Sequence, residues 1–254
     1  MHVEIQGDGP DLILIHGWAM HAGIFAPLTP LLAAHFRLHL VDLPGHGFSR
    51  GDDGAVDARG WAARVAALTP ARAIWVGWSL GGLVALYAAL DAIGQPRALV
   101  EIAESPRLLA AQDWPLGIAP RALADFASGL QRDYRRTIER FLALELIGSA
   151  HTHAMLRELK SHVFERGEPD KRVLVEGLRL LETADLRERL RDLRVPSLWI
   201  AGRRDRLVAA DAMRWSAQRA AGTFAEIDAG HAPFLSHPQE VADAIERFAR
   251  TLAP

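Results

Sequence analysis

The chain has 254 residues, half of them hydrophobic and 24% charged, a composition that belongs to globular rather than disordered proteins. Its 29 Lys plus Arg against 31 Asp plus Glu give a formal net charge of −2, too balanced for a nucleic-acid footprint over the whole chain. With no cysteine, disulfide frameworks, thiol catalysis, iron–sulfur clusters and cysteine zinc sites are excluded.

Read from the start, Met1-His-Val-Glu lacks a basic region followed by an apolar stretch. Two uncharged runs approach membrane length, Leu12 to Phe36 and Ala73 to Leu90. The first carries His16, His21, Pro27, Pro30 and His35, and the second is broken by Gly77, Ser79, Gly81 and Gly82. Neither reads as a span, and the expectation is a soluble cytoplasmic protein.

Short apolar runs bounded by turn residues then recur along the chain. They are Leu12–Ile15, Leu38–Val41, Ala73–Val76, Ala98–Ala103, Ser197–Ala201 and Phe224–Ile227. With little polar alternation, they read as strands buried on both faces, the pattern of a parallel sheet covered by helices. Helical spacing follows at Leu80–Ala92, Ala209–Ala220 and Pro238–Leu252. From Pro106 to about Asp192 only helical patterning rich in Arg, Glu and Leu is found, in a stretch too long for a loop. The expected architecture is therefore α/β, a mostly parallel sheet built from 1–106 and 193–254, with an all-helical insertion over 107–192. No internal repeat or low-complexity segment interrupts it.

Gly77-Trp78-Ser79-Leu80-Gly81 matches G-x-S-x-G, which the chain's 21 Gly and 9 Ser would produce by chance about 0.06 times. Its position between a buried strand and a helix is that of a nucleophile elbow. Such a turn strains the serine backbone, exposes Oγ and leaves the N–H groups of the following helix free for a developing oxyanion. Gly-His pairs are common by chance, but two fall at informative places. His16-Gly17-Trp18 follows the first buried run, where a second oxyanion donor belongs, and Gly230-His231 follows the last, where the base belongs. The chain order nucleophile, acid, histidine leaves Asp205 and Asp211 as acids, with Asp205 preferred for its place just after the fifth run. Asp228 reads as structural and His46 as a loop-ordering residue.

Metal chemistry finds little support. His151-Thr-His153 is the one close histidine pair, and on a helix its rings point to different faces. Neither HExxH, an EF-hand, a Walker sequence nor a dinucleotide fingerprint occurs. No cofactor is expected.

The set His16-Gly17-Trp18, Asp42-Leu-Pro-Gly-His-Gly47, Gly77-Trp-Ser-Leu-Gly-Gly82, Asp205 and Gly230-His231-Ala-Pro-Phe234 resembles the serine α/β-hydrolases. Within them the chain is similar, over nearly its whole length, to the pimeloyl-[acyl-carrier protein] methyl ester esterases of biotin synthesis. Narrower markers are Asp113-Trp114-Pro115, the segment Arg136 to Glu145, and His231-Ala-Pro-Phe-Leu-Ser-His-Pro238. The resemblance implies an α/β-hydrolase fold with a helical cap, and a monomer that hydrolyses the methyl ester of a pimeloyl chain on acyl-carrier protein. It implies catalysis by Ser79, His231 and Asp205, with the backbone N–H groups of Trp18 and Leu80 as oxyanion donors. It further implies a substrate pocket of Trp18, Ser79, Leu80, Phe141, Leu142, Ala143, Leu144, Glu145 and His231, with small esters as additional substrates. Two departures stand out: Glu104, where a small polar residue is expected, and Glu145, where a neutral amide is expected.

On a helix from about Leu130 to Leu146, Tyr134, Ile138, Phe141 and Leu142 share an apolar face, while Arg132, Arg136 and Arg140 recur on another. The residues alone fit a solvated face and a docking stripe for an acidic carrier protein equally well. The resemblance favours docking. A general carboxylesterase or carbon–carbon bond hydrolase shares the same triad, and a non-catalytic receptor on the same fold is the alternative outside enzymes.

Overall fold

The computed structural model describes residues 1–52, 54–145 and 163–252. A seven-stranded sheet forms its centre, with strands β1 (His2–Gln6), β2 (Asp11–Ile15), β3 (Arg37–Asp42), β4 (Ile74–Trp78), β5 (Ala98–Ile102), β6 (Ser197–Gly202) and β7 (Thr223–Ile227). The order is β1-β3-β2-β4-β5-β6-β7. All neighbours are parallel except β1, which runs antiparallel to β3 with His2 opposite Asp42.

Every residue of β4, β5 and β6 is buried, as helices on both faces of a parallel sheet require. The six apolar runs of the sequence become β2 to β7. At the edge the expectation of two buried faces does not hold, because β7 is exposed at Thr223 and Glu226 and fully buried only at Ile227. An edge strand has a neighbour on one side alone, so part of its surface stays wet. Strand β1 had no counterpart in the sequence reading. His2-Val-Glu-Ile-Gln alternates polar and apolar, and its residues are half-buried or exposed, so no continuous apolar run marks it.

The covering helices are α1 (Thr29–Ala33), α2 (Ala58–Ala66), α3 (Leu80–Leu90), α7 (Ala210–Arg219), the single turn α8 (Pro233–Ser236) and α9 (Pro238–Arg250). Between β5 and β6 lie α4 (Pro120–Arg132), α5 (Tyr134–Glu145) and α6 (Lys171–Thr183). Among the described residues of that interval no strand is found, only the bridges Leu109–Ile118 and Ala111–Trp114. Helix α3 is apolar all round and almost wholly buried. Five tryptophans, Trp18, Trp61, Trp75, Trp78 and Trp199, are fully buried in one continuous core. Each such ring removes roughly 150–250 Å² from water, so the core is dense in large side chains around β4. No helix among the described residues is long and apolar enough to cross a membrane.

The single helix expected from Leu130 to Leu146 is two helices. Asp133 adopts an extended backbone (φ −150°, ψ 93°) between α4 and α5, and its Oδ1 accepts the Arg136 N–H at 3.1 Å. An aspartate that caps N–H groups this way starts a new helix rather than continuing the old one. Arg132 therefore ends α4, while Arg136 and Arg140 lie on α5, all three exposed. The spacing of four does not make them one stripe.

Candidate active site

Ser79 follows the last residue of β4 and caps α3 with φ 52° and ψ −120°, a backbone that an L-residue reaches only under strain of about 1–3 kcal/mol. Its own N–H is committed to Ile102 O at 3.0 Å, and its carbonyl accepts from Gly82 and Leu83. The turn is so tight that a Cβ at Gly81 would collide with the carbonyl oxygens of Ile15 and His16, so glycine is needed for helix and strand to meet. Leu80 opens α3, which places its N–H among the donors a helix start leaves without intrahelical partners.

His231 stands in the loop after β7, 1% exposed. Its Nδ1 lies 2.7 Å from Asp205 Oδ2 and its Nε2 lies 3.0 Å from Ser79 Oγ. With Nδ1–H donated to the carboxylate, Nε2 is left to accept the serine O–H. Asp205 is itself fixed, since Oδ1 accepts the N–H groups of Leu207 (2.7 Å) and Val208 (3.0 Å) and its side chain is completely buried. The His231 carbonyl accepts from Trp78 Nε1 at 2.9 Å, tying the histidine loop to the strand that carries the serine. Asp211, the other acid considered, is 79% exposed and lies near Arg214. Asp228 is paired with Arg203 and Arg204 on the surface.

The loop after β2 is held by a buried neutral histidine. His16 Nδ1–H donates to Gly17 O (2.8 Å), and Nε2 accepts the Leu43 N–H (3.0 Å). Burial first, and the neighbouring His46 second, lower its pKa to about 3. A Cβ on Gly17 would sit 3.3 Å from Ser79 Cβ, so this loop lies directly against the serine. His46 is also buried, donates Nδ1–H to Pro44 O at 3.0 Å and has its pKa lowered to about 4, chiefly by burial. It orders its loop and takes no part in the cleft.

A cleft of about 550 Å³, including its open mouth, lies above Ser79 and His231. Its roof comes from the helices between β5 and β6: Leu123 and Phe126 of α4, Phe141 of α5, and Leu178 and Leu181 of α6. Trp18 forms one wall, its ring edge-on to Phe141 at 4.9 Å and its Nε1 donating to Leu174 O. Trp18, Ser79, Phe141 and His231 of the expected pocket are thus brought together. Leu80, Leu142 and Ala143 are not among the lining residues, and Leu142 is fully buried in the core instead. The side chains of Leu144 and Glu145, and the pair His151 and His153, lie outside the described residues. Glu104 does line the cleft, where burial raises its carboxyl pKa to about 8. The contributions of α4 and α6 were missed in the sequence, although Leu123–Phe126 and Leu178–Leu181, each three apart, were the available signal. Among the described residues no three potential metal ligands come together.

Residues 12–244 match the family model described as the alpha/beta hydrolase family. Two curated relatives bear the name pimeloyl-[acyl-carrier protein] methyl ester esterase. The one from Xanthomonas campestris pv. campestris (strain B100) is 52% identical, over 99% of this chain and all of its own. The one from Stenotrophomonas maltophilia (strain K279a) is 50% identical, over 100% and 98%. Among solved structures, an esterase from Exiguobacterium antarcticum superimposes with a TM-score of 0.87 at 18% identity, covering 98% of this chain and 95% of its own. A bromoperoxidase from Bacillus anthracis does so with 0.85 at 20%, covering 98% and 94%. Those two likenesses concern the fold alone. With the family model spanning most of its length and relatives at half identity end to end, the chain belongs to the alpha/beta hydrolase family.

Proposed function

We propose that the protein is a serine carboxylesterase that hydrolyses the methyl ester of a pimeloyl chain carried by acyl-carrier protein. The observation that carries the reading is the hydrogen-bonded chain from Asp205 through His231 to Ser79 at the floor of an apolar cleft. The name borne by relatives at half identity supports the substrate.

In this reading Ser79 Oγ attacks the ester carbonyl while His231 Nε2 takes its proton, and Asp205 holds the ring in the required tautomer and stabilises its cation. The N–H groups of Trp18 and Leu80 receive the oxyanion; losing one such donor lowers turnover on the order of 10²–10³-fold. His231 then protonates the departing methoxide as methanol and activates the water that frees the acyl-enzyme. The helical insertion, 107–192, acts as a cap on the core formed by 1–106 and 193–254. Arg132, at the end of α4, and Arg136 and Arg140, on α5, are its candidates for docking an acidic carrier, spread over two helices rather than one stripe. The cap threads the acyl chain so that the distal ester, not the thioester, reaches Ser79.

The test is mass spectrometry of carrier-bound pimeloyl methyl ester incubated with wild type and Ser79→Ala. A loss of about 14 Da, one methylene, with the carrier linkage intact and in wild type alone, is the expected result. Cleavage of small esters with no change in the carrier substrate overturns the carrier assignment. Release of the acyl chain from the carrier overturns the threading.

A further inference from the structure

The two proposed oxyanion donors, Leu80 and Trp18, are held in different ways. Leu80 is fixed by the elbow, where the Ser79 N–H is donated to Ile102 O and α3 begins at once. From the sheet side, the first turn of α3 rests at Gly82 against Glu101 of β5 and Glu104, with no room for a Cβ. Both carboxyls are buried, which raises the pKa of each, Glu101 further through the neighbouring Glu104, and Glu104 to about 8. At pH 7 they therefore back the helix as neutral acids.

Trp18 has no such backing from the sheet. Its N–H finds no partner among the described residues, and the next residue, Ala19, has φ 62°. A residue with a side chain keeps that backbone only where its surroundings enforce it. The anchor is the indole, and it reaches into the insertion: Nε1 donates to Leu174 O of α6 at 2.9 Å. Three residues on, Gly177 lies on the same face of α6. A Cβ there would stand 3.2 Å from Trp18 Cδ1 and 3.6 Å from Leu80 Cδ2. The side chains of both donor residues thus meet α6 at one glycine, a residue that a helix interior otherwise disfavours. Phe141 of α5 adds only an edge-on ring contact to the indole. Helix α6 is itself seated on the core: at its start the Asp170 N–H donates to Gly45 O at 2.8 Å, and Arg172 Nη2 donates to Gly54 O at 3.2 Å.

We propose that α6 is a positioning element of the oxyanion hole, with Gly177 as its positioning residue: by gripping the Trp18 indole it sets the Trp18 N–H opposite the Leu80 N–H. Neither Leu174 nor Gly177 is among the described lining residues of the cleft, so the effect falls on the chemical step and not on ligand fit. The proposal rests on the esterase reading and deepens it, giving the insertion a part in holding the transition state as well as in covering the cleft.

The test separates the hole from the cleft with two ligands of one shape, hexyl trifluoromethyl ketone and hexyl methyl ketone, as inhibitors of methyl hexanoate turnover at neutral pH. Ser79 Oγ adds to the carbonyl carbon of the first, its proton passing to His231 and the carbonyl π pair to the oxygen, which enters the hole as an oxyanion. The second fills the cleft without forming that adduct. In Gly177→Ala the added methyl displaces the indole. There kcat is expected to fall about tenfold with KM within about twofold, and the preference for the trifluoromethyl ketone to fall by the same factor. Trp18→Phe lacks the indole N–H and leaves Gly177 in place; it is expected to lose preference likewise, and it decides the matter if melting curves show Gly177→Ala unfolded. A full preference in folded Gly177→Ala, or a loss that appears in KM alone, overturns the proposal while wild-type turnover leaves the esterase reading standing. A wild type that neither hydrolyses methyl hexanoate nor prefers the trifluoromethyl ketone overturns the esterase reading and the proposal with it.

Discussion

The floor and the roof of the cleft are built in opposite ways. On the floor, Ser79, Asp205 and His231 stand at the ends of β4, β6 and β7, each held by a hydrogen bond that involves the main chain: Ser79 N–H to Ile102 O, two backbone amides to Asp205 Oδ1, and the Trp78 indole N–H to the His231 carbonyl. The roof meets the cleft with apolar side chains from three helices and turns its arginines outward. Apolar contacts are non-directional, and the rings of Phe126, Phe141 and Trp18 pack edge-on, with Trp18 alone of the three anchored by a hydrogen bond, to Leu174 O. In the proposed reaction, triad geometry is therefore set by rigid strand ends, and ligand fit by a surface that tolerates substitution.

Breaking the floor gives the largest effects. Ser79→Ala is expected to lower ester turnover about 10⁶-fold, and Asp205→Asn about 10⁴-fold through the wrong histidine tautomer. Steady-state kinetics on a small methyl ester, with melting curves to show an intact fold, check both. A loss under tenfold for Ser79→Ala removes it as nucleophile.

The floor is also the part that feels alkaline pH. Glu104 has an unfolded pKa near 4.5 and a folded one near 8, so over that window the folded state holds the extra proton and stability falls as pH rises. His16 and His46, lowered to about 3 and about 4, act oppositely: below pH 6.5 the unfolded state takes up protons and stability falls with acid. The two pairs oppose each other between pH 4.5 and 6.5. Above 6.5 only the carboxyls remain, and Glu104 alone removes about 2 kcal/mol by pH 8. Urea midpoints across that range should show the decline, reduced in Glu104→Gln; equal slopes in both proteins contradict it.

Disturbing the roof has smaller consequences. Phe141→Ala removes an edge-on partner of Trp18 and should raise KM for small esters about three- to tenfold with kcat nearly unchanged. Arg136→Glu with Arg140→Glu should raise KM for the carrier-bound ester a few-fold while sparing small esters. Equal effects on both substrates there would mean the arginines only solvate the helix.

The floor was readable in the sequence and the roof largely was not. Each strand end that matters follows a short apolar run, and Gly-x-Ser-x-Gly, Asp205 and Gly230-His231 each mark such an end by a local pattern. Helical periodicity in the insertion distinguishes inner from outer faces but not which inner residues reach a shared cleft, which depends on how α4, α5 and α6 cross. One aspartate with two possible roles, helix residue or cap, was enough to hide the break at Asp133. Glu104 stood out as a departure, but Glu101 was hidden inside an apolar strand run, where alternation gave no reason to separate it.

Adjacent strands β5 and β6 are separated in the chain by the whole insertion. Closing so long a loop demands conformational entropy before any contact rewards it, so the docking of β6 on β5 is expected to come after the pairing of β2 to β5. Ser79 belongs to the part completed before it, and Asp205 and His231 to the part added after. In the proposed reaction, a chain folded only through β5 would carry its strained serine and the buried tryptophans that precede β6, Trp199 being on β6 itself, while still inert. On the proposed mechanism, reactivity waits for β6 and β7 to join, because they bring Asp205 and His231 to the serine hydroxyl.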